Sequence, residues 1–101
     1  VLRREQNNRN GIYLNYINGY WYTYEWSAFL LCMLHPEVEV RKCIGVQPDE
    51  NYAIARVNKK IIKKLERKYQ TSMMDDYIKI LLPPFNEDEN IFLNWKALLP
   101  P

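Results

Sequence analysis

Residues that carry catalysis are scarce in this sequence. Its single histidine, His35, stands at the end of an expected helix, where it complements the negative end of the helix dipole rather than serving as a base or ligand. There is no Gly-rich phosphate loop, and no Ser or Cys nucleophile has a histidine base to activate it. The two cysteines, Cys32 and Cys43, are too few for a disulfide framework and lack metal-ligand spacing. Cys32 falls in an apolar helix and reads as a buried free thiol. The acids Asp49, Glu50, Asp75, Asp76, Glu87, Asp88 and Glu89 lie in expected turns and loops. The adjacent pair Asp75-Asp76 reads as solvated rather than as a Mg²⁺ ligand, so neither metal nor cofactor is expected. No run approaches the roughly 18 apolar residues of a membrane span, and no signal-peptide pattern is visible. The chain therefore reads as a cytoplasmic protein that is not an enzyme and does not enter a membrane.

The composition that remains is globular. Hydrophobic residues make up 48% of 101 and charged residues 26%, which supports one core and excludes disorder along the whole chain. Aromatic residues reach 14%, and many of them fall in one stretch. The net charge of +2 is too mild to imply a nucleic-acid partner by itself, so its distribution matters more than its size.

That stretch is Gly11 to Leu34, a hairpin running into a helix. Two alternating runs, Ile12 to Ile17 and Tyr20 to Tyr24, flank Asn18-Gly19, the dipeptide that suits a type I′ turn because both central residues need positive φ. The two-residue loop sets Ile17 opposite Tyr20, Tyr16 opposite Trp21, Asn15 opposite Tyr22, Leu14 opposite Thr23 and Tyr13 opposite Tyr24. Alternation then places Tyr13, Asn15, Ile17, Tyr20, Tyr22 and Tyr24 on one face. Ile12, Leu14, Tyr16, Trp21 and Thr23 take the other, which is the natural core side.

On either side of the hairpin the pattern is mixed. Val1 to Asn10, with Arg3, Arg4 and Arg9, reads as a flexible basic arm, and residues 11–101 read as a single domain. Glu25 to His35 is expected to be a buried helix, with Thr23 as N-cap and Pro36 as stop. Val38 to Ile44 and Tyr52 to Val57 read as strands separated by a turn at Gln47 to Asn51. Tyr77 to Leu82 reads as another strand, followed by an acidic loop at Asn86 to Asn90. Ile91 to Leu99 reads as a closing helix. The expected fold is α/β in the α+β sense: a small mixed sheet of about five strands that starts with a hairpin, covered by two to three helices.

Lys59 to Tyr69 is the clearest amphipathic helix, capped by Asn58 and burying Ile61, Ile62, Leu65 and Tyr69. Its outer side carries two ridges, Lys59-Lys63-Arg67 and Lys60-Lys64-Lys68, relieved only by Glu66. Like charges at i, i+4 repel, so an anion would relieve them; a solvated lysine face is the alternative.

The Ile12-Tyr13-Leu14-Asn15-Tyr16-Ile17 strand, Asn18-Gly19, Tyr20-Trp21-Tyr22-Thr23-Tyr24 and Ser27-Ala28 together resemble the amino-terminal, mismatch-recognition domain of the MutS DNA-repair family. That domain has an apolar strand, then Gly-Asp-Phe-Tyr-Glu-x-Phe, then a helix that opens near Glu-Asp-Ala. Tyr52 to Asn58 and the helix after it are similar to the family's Pro-Met-Ala-Gly-apolar-Pro segment, with Arg56 in place of the Gly and Asn58 in place of the second Pro. The resemblance covers roughly Ile12 to Leu82 and implies a small stand-alone bacterial relative. It puts Tyr20 at the position where the family's Phe stacks on a base, while Tyr22 replaces the Glu that bonds it.

Two kinds of function fit these features. The first is a nucleic-acid-binding module for DNA or RNA, with stacking residues Tyr20, Tyr22, Tyr13 and Tyr24 and phosphate-facing Lys59, Lys60, Lys63, Lys64, Arg67 and Lys68. The second is a protein-interaction or self-association module that uses its aromatic residues as anchors.

Overall fold

Asn18 and Gly19 adopt φ values of 51° and 88°, the positive pair that a type I′ turn requires. They join β1 (Gly11–Ile17) to β2 (Tyr20–Tyr24) in the register that the loop length dictates, with Ile17 opposite Tyr20, Tyr16 opposite Trp21 and Asn15 opposite Tyr22. The computed structural model describes residues 2–6, 8, 10–45, 51–83 and 89–101. Most of the expected turn at Gln47 to Asn51 and of the acidic loop from Asn86 lies outside them.

The ladder of the hairpin stops at Asn15. Opposite Tyr13, β2 diverges from β1 while still pairing with Ala55 and Ile54, and side chains take over the hydrogen bonds between the two hairpin strands. The Thr23 hydroxyl donates to the Tyr13 carbonyl at 3.0 Å, and the Tyr13 amide donates to Ser27 Oγ at 2.9 Å. Thr23 is thus a strand tie and not the expected N-cap. Helix α2 (Glu25–Leu34) starts after an extended Tyr24 with no side-chain cap, and its first residue, Glu25, sits at φ 49°. The Glu25 carboxylate accepts from the Ala53 amide at 2.7 Å and from Lys96 Nζ at 3.0 Å, two bonds that hold the sharp entry into the helix.

Six strands form one antiparallel sheet in the order β3-β4-β2-β1-β6-β5, adding β3 (Arg41–Cys43), β4 (Tyr52–Val57), β5 (Gln70–Met73) and β6 (Tyr77–Leu81) to the hairpin. The sheet is therefore antiparallel throughout and one strand larger than expected. The extra strand, β5, is a polar edge strand with no apolar alternation. β3 covers only the middle of the expected Val38 to Ile44 run.

One face of the sheet carries the core. Ile12, Leu14, Val57, Ile78 and Ile80 pack with Trp26, Phe29, Leu30 and Leu31 of α2, with Ile61, Ile62 and Leu65 of α3 (Lys59–Lys68), and with Phe92 of α4 (Glu89–Ala97). Ala28, Val40, Ala53 and Ala55 extend it. The Asn58 side chain caps α3 by accepting from the Ile61 amide at 3.0 Å, as expected. After α4 the chain returns to the β3 edge, where the Lys42 amide donates to the Pro100 carbonyl at 2.7 Å. That contact covers part of an edge that would otherwise be open to pairing. No helix among the described residues is long and apolar enough to cross a membrane.

The amino-terminal segment departs from the expected flexible arm. Leu2–Gln6 forms a short helix, α1, and Glu5 and Asn8 are buried at 5% and 4% exposure.

Candidate nucleic-acid interface

The second face of the sheet carries most of the tyrosines. Strand registers put Tyr13, Tyr20, Tyr22, Tyr24, Tyr52 and Tyr77 there, six of the eight in the chain. Tyr20 is half exposed, Tyr13, Tyr22, Tyr52 and Tyr77 are partly exposed, and Tyr24 is buried at 8%. Tyr24 packs on the Tyr52 ring at 5.9 Å between centroids, so it supports the face rather than offering a contact surface. Burial pushes the Tyr24 phenol above its ordinary pKa; a hydrogen bond with Cys43, then burial, pushes Tyr52 the same way.

Cations stand over these rings. The Arg4 guanidinium lies 3.9 Å from the Tyr77 ring centroid and 5.7 Å from that of Tyr13, and it hydrogen-bonds Asn15 Oδ1. Lys79 Nζ is 5.3 Å from the Tyr13 centroid, and the Arg56 guanidinium is 4.7 Å from that of Tyr20. Arg41 joins them from β3, its Nε and Nη2 donating to Glu39 Oε1 at 3.1 and 2.9 Å. Beside Tyr22 a shallow cavity of about 340 Å³ opens, lined by Tyr22, Glu39, Arg41, Ile54, Ala55 and Arg56.

Arg4 reaches this face because α1 is anchored through a polar network. Glu5 Oε1 accepts from the Ser27 amide at 2.9 Å and Oε2 accepts from the Ser27 hydroxyl at 2.6 Å. Asn8 Nδ2 donates to Ser27 Oγ at 3.0 Å and to the Gly11 carbonyl at 2.6 Å, and Asn8 Oδ1 takes the Gly11 amide at 3.0 Å. Ser27 Oγ thus donates once and accepts twice, its full capacity. Burial pushes the Glu5 carboxyl above its ordinary pKa, and the bonds from Ser27 and Asn8 oppose that shift.

The two halves of the expected interface do not meet. α3 packs Ile61, Ile62 and Leu65 into the core on the covered side of the sheet, so its basic side chains project from that side, away from the tyrosine face. Lys59, Lys60, Lys63, Lys64, Arg67 and Lys68 are all exposed, and none of the ion pairs among the described residues involves them. Tyr13, Tyr20 and Tyr22 are brought together with Arg4, Arg41, Arg56, Lys79, Tyr52 and Tyr77, which the sequence reading did not assign to a site. Pairing of β1 with β6, and of β2 with β4, is what gathers them, and no local signal encodes either pairing.

No group of three or more His, Cys, Asp or Glu that could hold a metal ion occurs among the described residues. Cys32 and Cys43 are free thiols. His35 Nδ1 lies 3.0 Å from Glu37 Oε1 at the surface. No protein-family model, curated protein or solved structure matches this chain.

Proposed function

We propose that the protein is a non-enzymatic module that binds single-stranded nucleic acid on its tyrosine face. The observation that carries this reading is the clustering of six of eight tyrosines with Arg4, Arg41, Arg56 and Lys79 on the sheet face opposite the core. Aromatic rings offer stacking surfaces for unpaired bases, at about 1–3 kcal/mol per base, and the interleaved cations meet the phosphates. The α3 lysines act from the far side, as long-range attraction that concentrates a polyanion near the protein. The MutS-like pattern fits this use of Tyr20, whose ring is half exposed on the hairpin.

The test is fluorescence anisotropy with labelled single-stranded DNA, single-stranded RNA and mismatched duplex at two salt concentrations. Binding should weaken steeply with salt. Tyr20→Ala and Tyr22→Ala should each weaken single-strand binding by about tenfold with little change in melting temperature. Tyr16→Ala is the control: it is half exposed on the same hairpin but belongs to the opposite face, and it should leave binding intact. Equal losses from all three variants would refute the face assignment.

A second reading, self-association through α4 and the segment after it, is favoured by the exposed Ile91, Leu93 and Leu98. A monomer at every concentration in light scattering would remove it.

A further inference from the structure

Tyr22 differs from the other tyrosines of the face. Tyr77 lies under Arg4, Tyr13 under Lys79, Tyr20 under Arg56, and Tyr24 packs on Tyr52. Among the described residues the Tyr22 ring carries neither a cation nor a second ring. The cavity beside it, at about 340 Å³, falls at the small end of the range for sites that hold a small molecule, roughly 300–1,000 Å³.

The walls of that cavity suit an anion. Arg56 stands directly opposite Tyr22 on β4, and Arg41 opposite Ile54 on β3. The Arg56 side chain makes no hydrogen bond or ion pair among the described residues; its guanidinium lies over the face of the Tyr20 ring, which leaves its N–H donors free. Arg41 is steadied by Glu39, which binds only its Nε and Nη2. Two guanidiniums against one carboxylate leave a net positive charge. β3 is the last strand of the sheet, so the cavity lies where a strand of nucleic acid crossing from Tyr77 towards Tyr22 leaves the face. A terminal phosphate carries close to two negative charges at neutral pH and three terminal oxygens, enough to engage both guanidiniums at once. An internal phosphodiester has one charge and only two free oxygens.

We infer that the Tyr22 cavity holds the phosphate-bearing terminal nucleotide of a single strand, with its base on Tyr22 and its phosphate between Arg41 and Arg56. This rests on the stacking function proposed above, and the experiment separates the two. Oligonucleotides identical except for a 5′-phosphate, a 3′-phosphate or two hydroxyl ends are titrated against the full chain by anisotropy. One phosphorylated end should bind about tenfold tighter than the hydroxyl-ended strand. That advantage should vanish in Arg56→Ala and Arg41→Ala, both exposed substitutions, in which phosphorylated and hydroxyl-ended strands bind equally at a lower common affinity, whereas Lys79→Ala should weaken all three strands and keep the advantage. Equal affinity for all three strands would overturn the terminal-phosphate assignment and leave the stacking face standing. If no strand binds, the stacking function fails, and titration with adenosine monophosphate and adenosine, followed by tyrosine fluorescence, decides the cavity alone. Saturable binding of the phosphorylated compound only, lost in Arg56→Ala, keeps the phosphate site; no response to either overturns it.

Discussion

Phe92→Ala is expected to destabilise the protein by about 3–5 kcal/mol, the usual cost of removing a buried aromatic ring. Phe92 is the buried side chain that α4 contributes to the core, at 8% exposure. Its ring meets Trp26 at 5.4 Å and Phe29 at 5.7 Å, both edge-on, and Trp95 at 6.0 Å. Without it, α4 keeps the contact of Trp95 with Phe29, the Lys96–Glu25 ion pair and the hydrogen bond from Lys42 Nζ to the Ala97 carbonyl at 3.0 Å. That is little to hold a nine-residue helix. The loss should spread to the sheet edge, because the Pro100 carbonyl that receives the Lys42 amide follows directly after α4. Urea denaturation gives the stability change. Hydrogen exchange of the Lys42 amide reports local release, and it should accelerate in the variant ahead of amides in the centre of the sheet. Leu93→Ala, half exposed on the same helix, should cost no more than about 0.5 kcal/mol. A Phe92→Ala loss below about 1 kcal/mol would mean that α4 is not docked through this cluster.

The hairpin could be read from sequence because its determinants are local: Asn-Gly sets the turn, the loop length sets the register, and alternation sets the faces. Even there the reading fails at Tyr13, because nothing local shows that Glu25 turns the chain out of the sheet at φ 49° and leaves Thr23 and Ser27 to replace the ladder. β5 and α1 escaped for a related reason. Gln70–Met73 is held by pairing with β6 and not by an apolar face, and Leu2–Gln6 is held by the buried Glu5 and not by an apolar stripe. Polar anchors of that kind leave no periodic signal. The separation of the lysine ridges from the tyrosine band was, in contrast, implicit in the pattern. A chain of this size builds one core, so the apolar stripe of α3 must share it with Ile12 and Leu14. The tyrosines alternate with Ile12 and Leu14, and therefore face away. The cations that do reach the tyrosines, Arg4, Arg56 and Lys79, come from elements whose partners in the sheet are set by tertiary packing.

Ser27→Ala is expected to cost about 3 kcal/mol or more, although it deletes a single oxygen. The hydroxyl donates to a buried carboxylate, and its lone pairs take the Tyr13 amide and the Asn8 amide nitrogen. A hydrogen bond to a charged group contributes about 1.5–3 kcal/mol, and each buried donor left without a partner adds about 1–3. The same variant should loosen α1 and remove Arg4 from Tyr77 and Tyr13, so single-strand binding weakens although Ser27 touches no ligand. Restoring the hydroxyl with Ser27→Thr should recover part of both losses. pH gives an independent reading of the network. Burial raises the folded-state pKa of Glu5 above the 4.5 of an unburied carboxyl, so the folded chain holds this proton over a pH interval in which the unfolded chain has lost it. Stability from this group is therefore greatest below pH 4.5 and declines as pH climbs from there through the raised value. Glu5→Gln carries no titrating proton and should flatten that part of the profile. It should also lower stability by about 1–2 kcal/mol at neutral pH, because its amide points a donor at an oxygen already accepting twice and leaves the Ser27 proton without an acceptor. Unfolding midpoints in urea measured from pH 4 to 7 for both chains would show the two effects separately. Superimposable pH profiles would exclude Glu5 as the titrating group, and an unchanged midpoint in Ser27→Ala would show that α1 is held by something other than this serine.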